Sequence, residues 1–131
     1  MNLRALAACT AVAMVVTAVP CRADWETGLA AYNRGDFEAA SSEIKKYVAS
    51  SPTDPRYAIA YYLLGSSYLQ LGQAEDGVAN LRTAVRLDPE KLDYRLALGQ
   101  ALLNQGELAE AGTVLEAVAT MPVPEEQRVT T

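Results

Sequence analysis

Apolar residues recur at helical spacing in two successive runs in the middle of the chain. The first run holds Ile59, Leu63, Leu64, Tyr68 and Leu71, and the second holds Val78, Leu81, Ala84, Val85 and Leu87. Side chains three and four residues apart lie on one face of an α-helix, so each run predicts an amphipathic helix of about three to four turns. Gly72 between the runs suits the left-handed position that ends a helix, and Pro89 stops the second helix.

This pair of helices recurs three times along the chain. Gly28, Gly65 and Gly99 are 37 and 34 residues apart. Three further kinds of residue recur from copy to copy at the same two spacings: a turn glycine, a small residue and a bulky apolar residue. These further sets are Gly35, Gly72 and Gly106; Ala40, Gly77 and Ala111; and Ile44, Leu81 and Leu115. Small residues let two helices approach closely, and stacked pairs bury an apolar face that one pair alone leaves exposed.

The repeated unit resembles the tetratricopeptide repeat over roughly residues 24–120. The middle copy carries the pattern Tyr61-x-x-Leu64-Gly65-x-x-Tyr68 and closes with Leu87-Asp88-Pro89. The first copy departs from the pattern because Thr27 occupies the leucine position, and the third departs at its end, where Met121-Pro122-Val123-Pro124 replaces the Asp-Pro close. The resemblance implies an all-α solenoid of three helix-turn-helix repeats.

The implied repeats cover residues 24–54, 57–91 and 92–120. Their helices are expected at residues 24–34, 37–50, 57–71, 74–87, 92–105 and 108–120. Residues 121–131 are polar and contain two prolines, which predicts a flexible tail.

The first 23 residues are typical of a bacterial-type secretory signal. Arg4 gives a positive start, residues 5–19 carry no charge, Pro20 interrupts the helix, and Cys21-Arg22-Ala23 offers a cleavage triplet. The uncharged stretch is shorter than the about 20 apolar residues of a membrane span, which favours cleavage after Ala23 over a retained anchor. The signal predicts a periplasmic or secreted protein.

Composition and charge exclude several functions. The net charge is −5, with no basic stripe, which argues against binding to nucleic acid or to an anionic bilayer. The chain has no histidine, and both cysteines, Cys9 and Cys21, lie in the predicted signal. The usual general base and the usual zinc ligands are therefore missing. The sequence predicts no catalytic residue, no metal and no cofactor, and a protein that is not an enzyme.

Tetratricopeptide proteins usually bind a peptide or protein segment in a concave groove formed by the first helix of each repeat. By resemblance, the groove here is lined by Trp25, Leu29, Tyr32 and Asn33; by Tyr62, Ser66, Leu69 and Gln70; and by Leu96, Gln100, Leu103 and Asn104. No Lys or Arg falls at these positions, which disfavours the chaperone-type clamp on a free carboxyl terminus. For Trp25, packing over the first helix pair is an equally ordinary role and the preferred one.

An amide recurs at one equivalent position of the three repeats, at Asn33, Gln70 and Asn104. Amides can donate to and accept from a peptide backbone, which suits an extended ligand. The alternative is that the position simply faces solvent, where any polar residue serves.

Three functions remain open from the sequence. The chain is an adaptor that binds a protein or peptide in the groove, a structural or oligomerising subunit, or a carrier of a small ligand in the aromatic groove. The second reading rests on the last repeat, where no polar capping helix is visible and Val114, Leu115 and Val118 are expected to be under-covered. It implies self-association through the last helix.

Overall fold

The computed structural model describes residues 20–50 and 54–122 and shows six α-helices in that part of the chain. These are α1 (Pro20–Asn33), α2 (Phe37–Ser50), α3 (Tyr57–Gln70), α4 (Ala74–Leu87), α5 (Leu92–Gln105) and α6 (Leu108–Thr120). No strand occurs within the described ranges. Each helix packs mainly on the other helix of its pair and then on the next helix along the chain. The predicted all-α solenoid of three helix pairs is confirmed.

Three helix boundaries differ from the prediction. α1 is described from Pro20 rather than from residue 24, and it ends at Asn33 rather than at residue 34. α3 ends at Gln70 rather than at Leu71, whose N–H still donates to the Ser67 carbonyl oxygen at 3.0 Å. Residues 1–19 of the predicted signal and residues 123–131 of the predicted tail lie outside the described residues.

Glycine in the left-handed region ends the first helix of every pair. The φ angles are 78° at Gly35, 76° at Gly72 and 81° at Gly106. At the middle turn the N–H of Gly72 donates to the Leu69 carbonyl oxygen at 3.1 Å, and the N–H of Gln73 donates to that of Tyr68 at 2.9 Å. These bonds satisfy carbonyl groups at the helix end, as the sequence predicted for this glycine.

Close approach of α3 and α4 explains the small residues of the repeat. A Cβ atom added at Gly65 would lie 2.9 Å from the Gly77 carbonyl oxygen and 2.9 Å from Cγ of Leu81. Leu81 itself is fully buried in a core cluster that joins the second repeat to the third. The packing role predicted for Gly65 is therefore confirmed.

Candidate partner-binding groove

The face formed by the first helices, α1, α3 and α5, holds the twelve predicted groove residues at three levels of burial. The exposed residues are Asn33, Gln70, Leu96, Gln100, Leu103 and Asn104. The half-buried residues are Leu29, Tyr32, Tyr62, Ser66 and Leu69, and Trp25 is buried. The groove surface is therefore most open along the third repeat.

Trp25 is a core residue and not part of the groove surface. Its side chain is only 6% exposed, and its ring lies 5.2 Å from the ring of Tyr47, centroid to centroid. The guanidinium of Arg56 sits 5.4 Å from the centroid of the Trp25 ring. Trp25 thus closes the amino-terminal end of the core, which supports the packing role that the sequence analysis preferred for it over a place on the groove surface.

Asp54 holds Arg56 in place beside these rings. Arg56 donates from Nε and Nη2 to the Asp54 carboxylate at 3.0 and 2.8 Å, and its backbone N–H donates to the same carboxylate at 2.9 Å. These bonds hold the pKa of Asp54 well below its usual range. The neighbouring Tyr47 hydroxyl has no hydrogen-bond partner of normal geometry among the described residues. Burial, reinforced by the Asp54 carboxylate, raises the pKa of Tyr47 to about 12.

Tyr62 joins side chains from all three repeats at the centre of the groove. Its ring stacks on that of Tyr94 with centroids 4.9 Å apart and planes inclined by 27°. Burial raises the pKa of Tyr62, the charges of Tyr32 and Asp93 raise it further, and a hydrogen bond with Ser66 opposes them. Tyr62 also packs against both core clusters, which together hold residues of all three repeats.

Leu69 contributes mainly to packing. A Cβ atom added at Gly77 would lie 2.7 Å from Cδ2 of Leu69, so this side chain fills the space left by the glycine. Leu69 also packs against the cluster that contains Leu98 and Leu102 of α5. Leu69 is half-buried, so part of its side chain remains open at its predicted place on the groove surface.

The amide row, Asn33, Gln70 and Asn104, lies at the ends of α1, α3 and α5 and is exposed throughout. Asn104 accepts a hydrogen bond from Nε2 of Gln100 at 3.2 Å. The side chains of Asn33 and Gln70 make no hydrogen bond to another described residue. The amides are therefore available to a ligand backbone, and their exposure equally suits a solvent-facing role.

Ile59 belongs to the open face although the sequence placed it in the core run. Its side chain is 39% exposed and lies three residues before Tyr62 on α3. Residues three apart share a helix face, so the spacing of Ile59 and Tyr62 is the sequence signal that could have assigned Ile59 to the same face. Ile59 is therefore an exposed apolar residue of α3 that the twelve predicted groove residues did not include.

Two adjoining clefts between α2, α3 and α4 escaped the sequence analysis. Their volumes are about 420 and 490 Å³, and both are lined by Lys45 and Tyr68. Asp76 also lines the first cleft but forms no salt bridge with Lys45, whereas the equivalent pair of the next repeat is closed by an Arg82–Glu110 bridge of 2.6 Å. None of the twelve groove residues lines either cleft.

Two further searches concern metal sites and membrane spans. Over residues 20–50 and 54–122, no three Asp, Glu, His or Cys side chains come together as a metal site. In the same part of the chain no helix combines the length and apolar character that a membrane crossing requires.

Three stacked helix pairs with an open face of first helices define an α-solenoid repeat protein. The family model described as tetratricopeptide repeat matches residues 26–77 and 62–122. The chain belongs to the tetratricopeptide repeat family. It is also 39% identical over 57 residues to the mitochondrial ALBINO3-like protein 3 of Arabidopsis thaliana, a match that covers 44% of this chain and 10% of that protein.

Solved structures with a similar fold include MamA from Desulfovibrio magneticus RS-1, with a TM-score of 0.72, 27% identity, and coverage of 92% of this chain and 66% of that one. The ArsTM double mutant of MamA from RS-1 has a TM-score of 0.72 and 28% identity, and the match covers 84% of this chain and 61% of that one. The TPR2B domain of yeast Sti1, in complex with an Hsp70 peptide, has a TM-score of 0.68 and 18% identity, and the match covers 77% of this chain and 78% of that one. The likeness to Sti1 shows the fold alone. The chain spans under two thirds of the double-mutant MamA chain and a tenth of the plant protein.

Proposed function

We propose that this chain is an exported interaction module that binds an extended segment of a partner protein in the groove of α1, α3 and α5. The observation that carries the proposal is the amide row, exposed at the same position of three repeats, beside open apolar side chains. The similar TPR2B domain of Sti1 was solved with a bound peptide, which supports peptide binding on this fold.

The chemistry of the groove favours a ligand held by its backbone and its apolar side chains. Asn33, Gln70 and Asn104 supply donors and acceptors, and Leu96 and Leu103, each 42% exposed, supply apolar contact. No remaining groove position carries Lys or Arg, so a free terminal carboxylate is not the feature that we expect the groove to recognise. The proposal assigns the chain no catalytic step, metal or cofactor.

Export is the second part of the proposal. Cleavage after Ala23 would remove the first residues of α1 and leave Asp24 at the new amino terminus. Amino-terminal sequencing of the protein as it accumulates in a bacterial envelope fraction should begin at Asp24. A protein that keeps Met1 and stays in the cytoplasm would contradict the proposal.

The groove assignment is tested by removing the three exposed amide side chains, whose loss should not disturb the packing of the helices. Immobilised protein should capture a specific set of proteins from an envelope extract of its own host, identified by mass spectrometry. The triple variant Asn33→Ala, Gln70→Ala, Asn104→Ala should lose most of this capture. The control replaces two exposed amides outside the groove, Gln73→Ala and Gln105→Ala. Equal capture by the triple variant and the control would rule out the amide row as the binding surface.

A further inference from the structure

The cleft of about 420 Å³ between α2, α3 and α4 has an apolar floor and a charged rim. Leu64, which is buried, and Tyr61 and Tyr68, which are half-buried, line its inner part. Lys45 of α2 and Asp76 of α4 also line the cleft but are exposed, so they lie at its rim. Sites for small ligands have volumes of about 300–1,000 Å³ and combine an apolar lining with a few polar groups. The cleft therefore has the size and lining of a small-molecule site.

The two charges at the rim are not neutralised by the part of the chain that the structure describes. Over residues 20–50 and 54–122, the side chains of Lys45 and Asp76 form no salt bridge and no hydrogen bond, either with each other or with another residue. Glu38 lines the adjoining cleft together with Lys45 and forms no salt bridge with it. The cleft thus offers one cation and one anion to a ligand.

The next repeat shows the same two positions joined to each other. Arg82 and Glu110 are equivalent to Lys45 and Asp76, and Arg82 donates from Nε and Nη2 to the Glu110 carboxylate at 2.8 and 2.6 Å. Lysine has a shorter side chain than arginine and a single ammonium in place of its fork, and aspartate is shorter than glutamate. The combined reach across the cleft is therefore shorter, and a third group that carries both charges can bridge it.

Two further residues of the cleft are more polar than their counterparts in the next repeat. At the position of Asn80, α6 has Val114, and at the position of Tyr68, α5 has Leu102, which is fully buried. The amide of Asn80 and the hydroxyl of Tyr68 can each donate to and accept from a ligand. The cleft therefore keeps hydrogen-bonding groups at positions where the next repeat has apolar side chains.

We propose that this cleft binds a free amino acid with an apolar side chain. Its carboxylate pairs with Lys45, its ammonium pairs with Asp76, and its side chain lies against the floor of Leu64, Tyr61 and Tyr68. The charges select this class of ligand, because hydrogen bonds between charged groups are roughly twice as strong as neutral ones. A terminus of a partner protein carries only one of the two charges, a nucleic acid supplies only anions, and a neutral sugar supplies neither.

The inference does not depend on the proposed function, because none of the twelve groove residues lines the cleft and binding is measured without a partner protein. Isothermal titration calorimetry of the purified protein is carried out separately with L-leucine and L-phenylalanine. At least one of them should bind saturably, with one site per chain. Its amide derivative lacks the carboxylate and its N-acetyl derivative lacks the ammonium, so each should bind about tenfold more weakly or worse.

Substitutions at the rim assign each charge of the ligand to its partner. Lys45→Met and Asp76→Asn remove one charge each at similar size, and each should weaken binding of the amino acid by about tenfold. The lysine variant should no longer distinguish the amino acid from its amide, and the aspartate variant should no longer distinguish it from its N-acetyl form. The controls Lys46→Met and Glu75→Gln change neighbours that do not line this cleft, and they should bind as the unchanged protein does. Circular dichroism verifies that every variant remains helical.

Four results would overturn the inference. The first is the absence of saturable binding of both amino acids at millimolar concentration. The second is equal affinity for an amino acid and its two blocked derivatives, and the third is equal binding by the Lys45 and Lys46 variants. The fourth is binding of glycine as tight as that of L-leucine or L-phenylalanine, because glycine has no side chain to place against the apolar floor.

Discussion

The same substitution, glycine to alanine, made separately at positions 65 and 112 tests the close helix packing of the repeat. Both lie inside helices, Gly65 in α3 and Gly112 in α6, so replacement by alanine changes the intrinsic helix preference of each by the same amount. That preference favours alanine by about 0.8–1.0 kcal/mol. The difference between the two variants therefore isolates what the added methyl group meets.

At Gly65 the added methyl meets backbone. The new Cβ would lie 2.9 Å from the Gly77 carbonyl oxygen and 3.1 Å from the Leu81 nitrogen, so α4 itself must shift. Overpacking of this kind costs about 1–3 kcal/mol, and the backbone contacts favour the upper half of that range. After the helix preference is subtracted, Gly65→Ala should lower the free energy of unfolding by about 1–2 kcal/mol. At Gly112 nothing lies within 4 Å of the new atom, and Gly112→Ala should raise it by about 0.5–1 kcal/mol.

Urea unfolding followed by far-ultraviolet circular dichroism measures both variants against the unchanged protein. The expected result is a lower midpoint for Gly65→Ala and a higher midpoint for Gly112→Ala, with equal slopes. If both variants become more stable by the same amount, α3 and α4 are not packed as closely as described, and the reasoning about small residues in the repeat fails.

Three further predictions concern ionisable groups. Burial raises the pKa of Tyr47 to about 12, above the value of about 10 expected in the unfolded chain. The stability that folding gains from the neutral phenol is therefore fully present below pH 10 and is lost as the pH rises towards 12. Tyr47→Phe should remove up to about 3 kcal/mol of this alkaline loss, measured by urea midpoints across that range, and an unchanged pH profile would contradict the burial. Arg56 lowers the pKa of Asp54, so the stability from this pair is present above about pH 4 and is lost at lower pH. Asp54→Asn should therefore flatten the acid side of the profile, and acid sensitivity equal to that of the unchanged protein would argue against the pair. Arg82→Ala breaks an exposed bridge to Glu110 and should change the free energy of unfolding by less than about 1 kcal/mol, less still at high salt, whereas a larger loss would mean that the pair is not exposed.

The spacing of apolar residues predicted the helices well because both the core face of a helix and the glycine that ends it can be recognised from a short stretch of sequence. Gly72 is an example, since the left-handed φ that it adopts is a property of the residue and its turn.

Burial was harder to predict than helix position because it depends on what the neighbouring repeat supplies. Trp25 is buried because Tyr47 and Arg56 close over it, and Arg56 lies thirty-one positions further along the chain. Ile59 and Leu103 are apolar yet partly exposed. The spacing of apolar residues defines the face of a helix but does not say whether another element covers that face.

The cleft lined by Lys45 and Asp76 was missed for a related reason. The two residues occupy the positions of Arg82 and Glu110 in the next repeat, and each pair joins a basic to an acidic residue. Only the second pair is closed in the structure. Whether equivalent side chains meet depends on helix separation, which the repeat spacing does not specify.

Site-specific photocrosslinking in intact cells tests most directly whether the face of α1, α3 and α5 holds the partner. A photoreactive amino acid is placed at Gln70 on this face or at Asn80, which lines the cleft on the other side. We expect irradiation to give a discrete crosslinked partner from position 70 and none from position 80. A partner crosslinked only from position 80 would place the working surface on the opposite side of the solenoid and contradict the account.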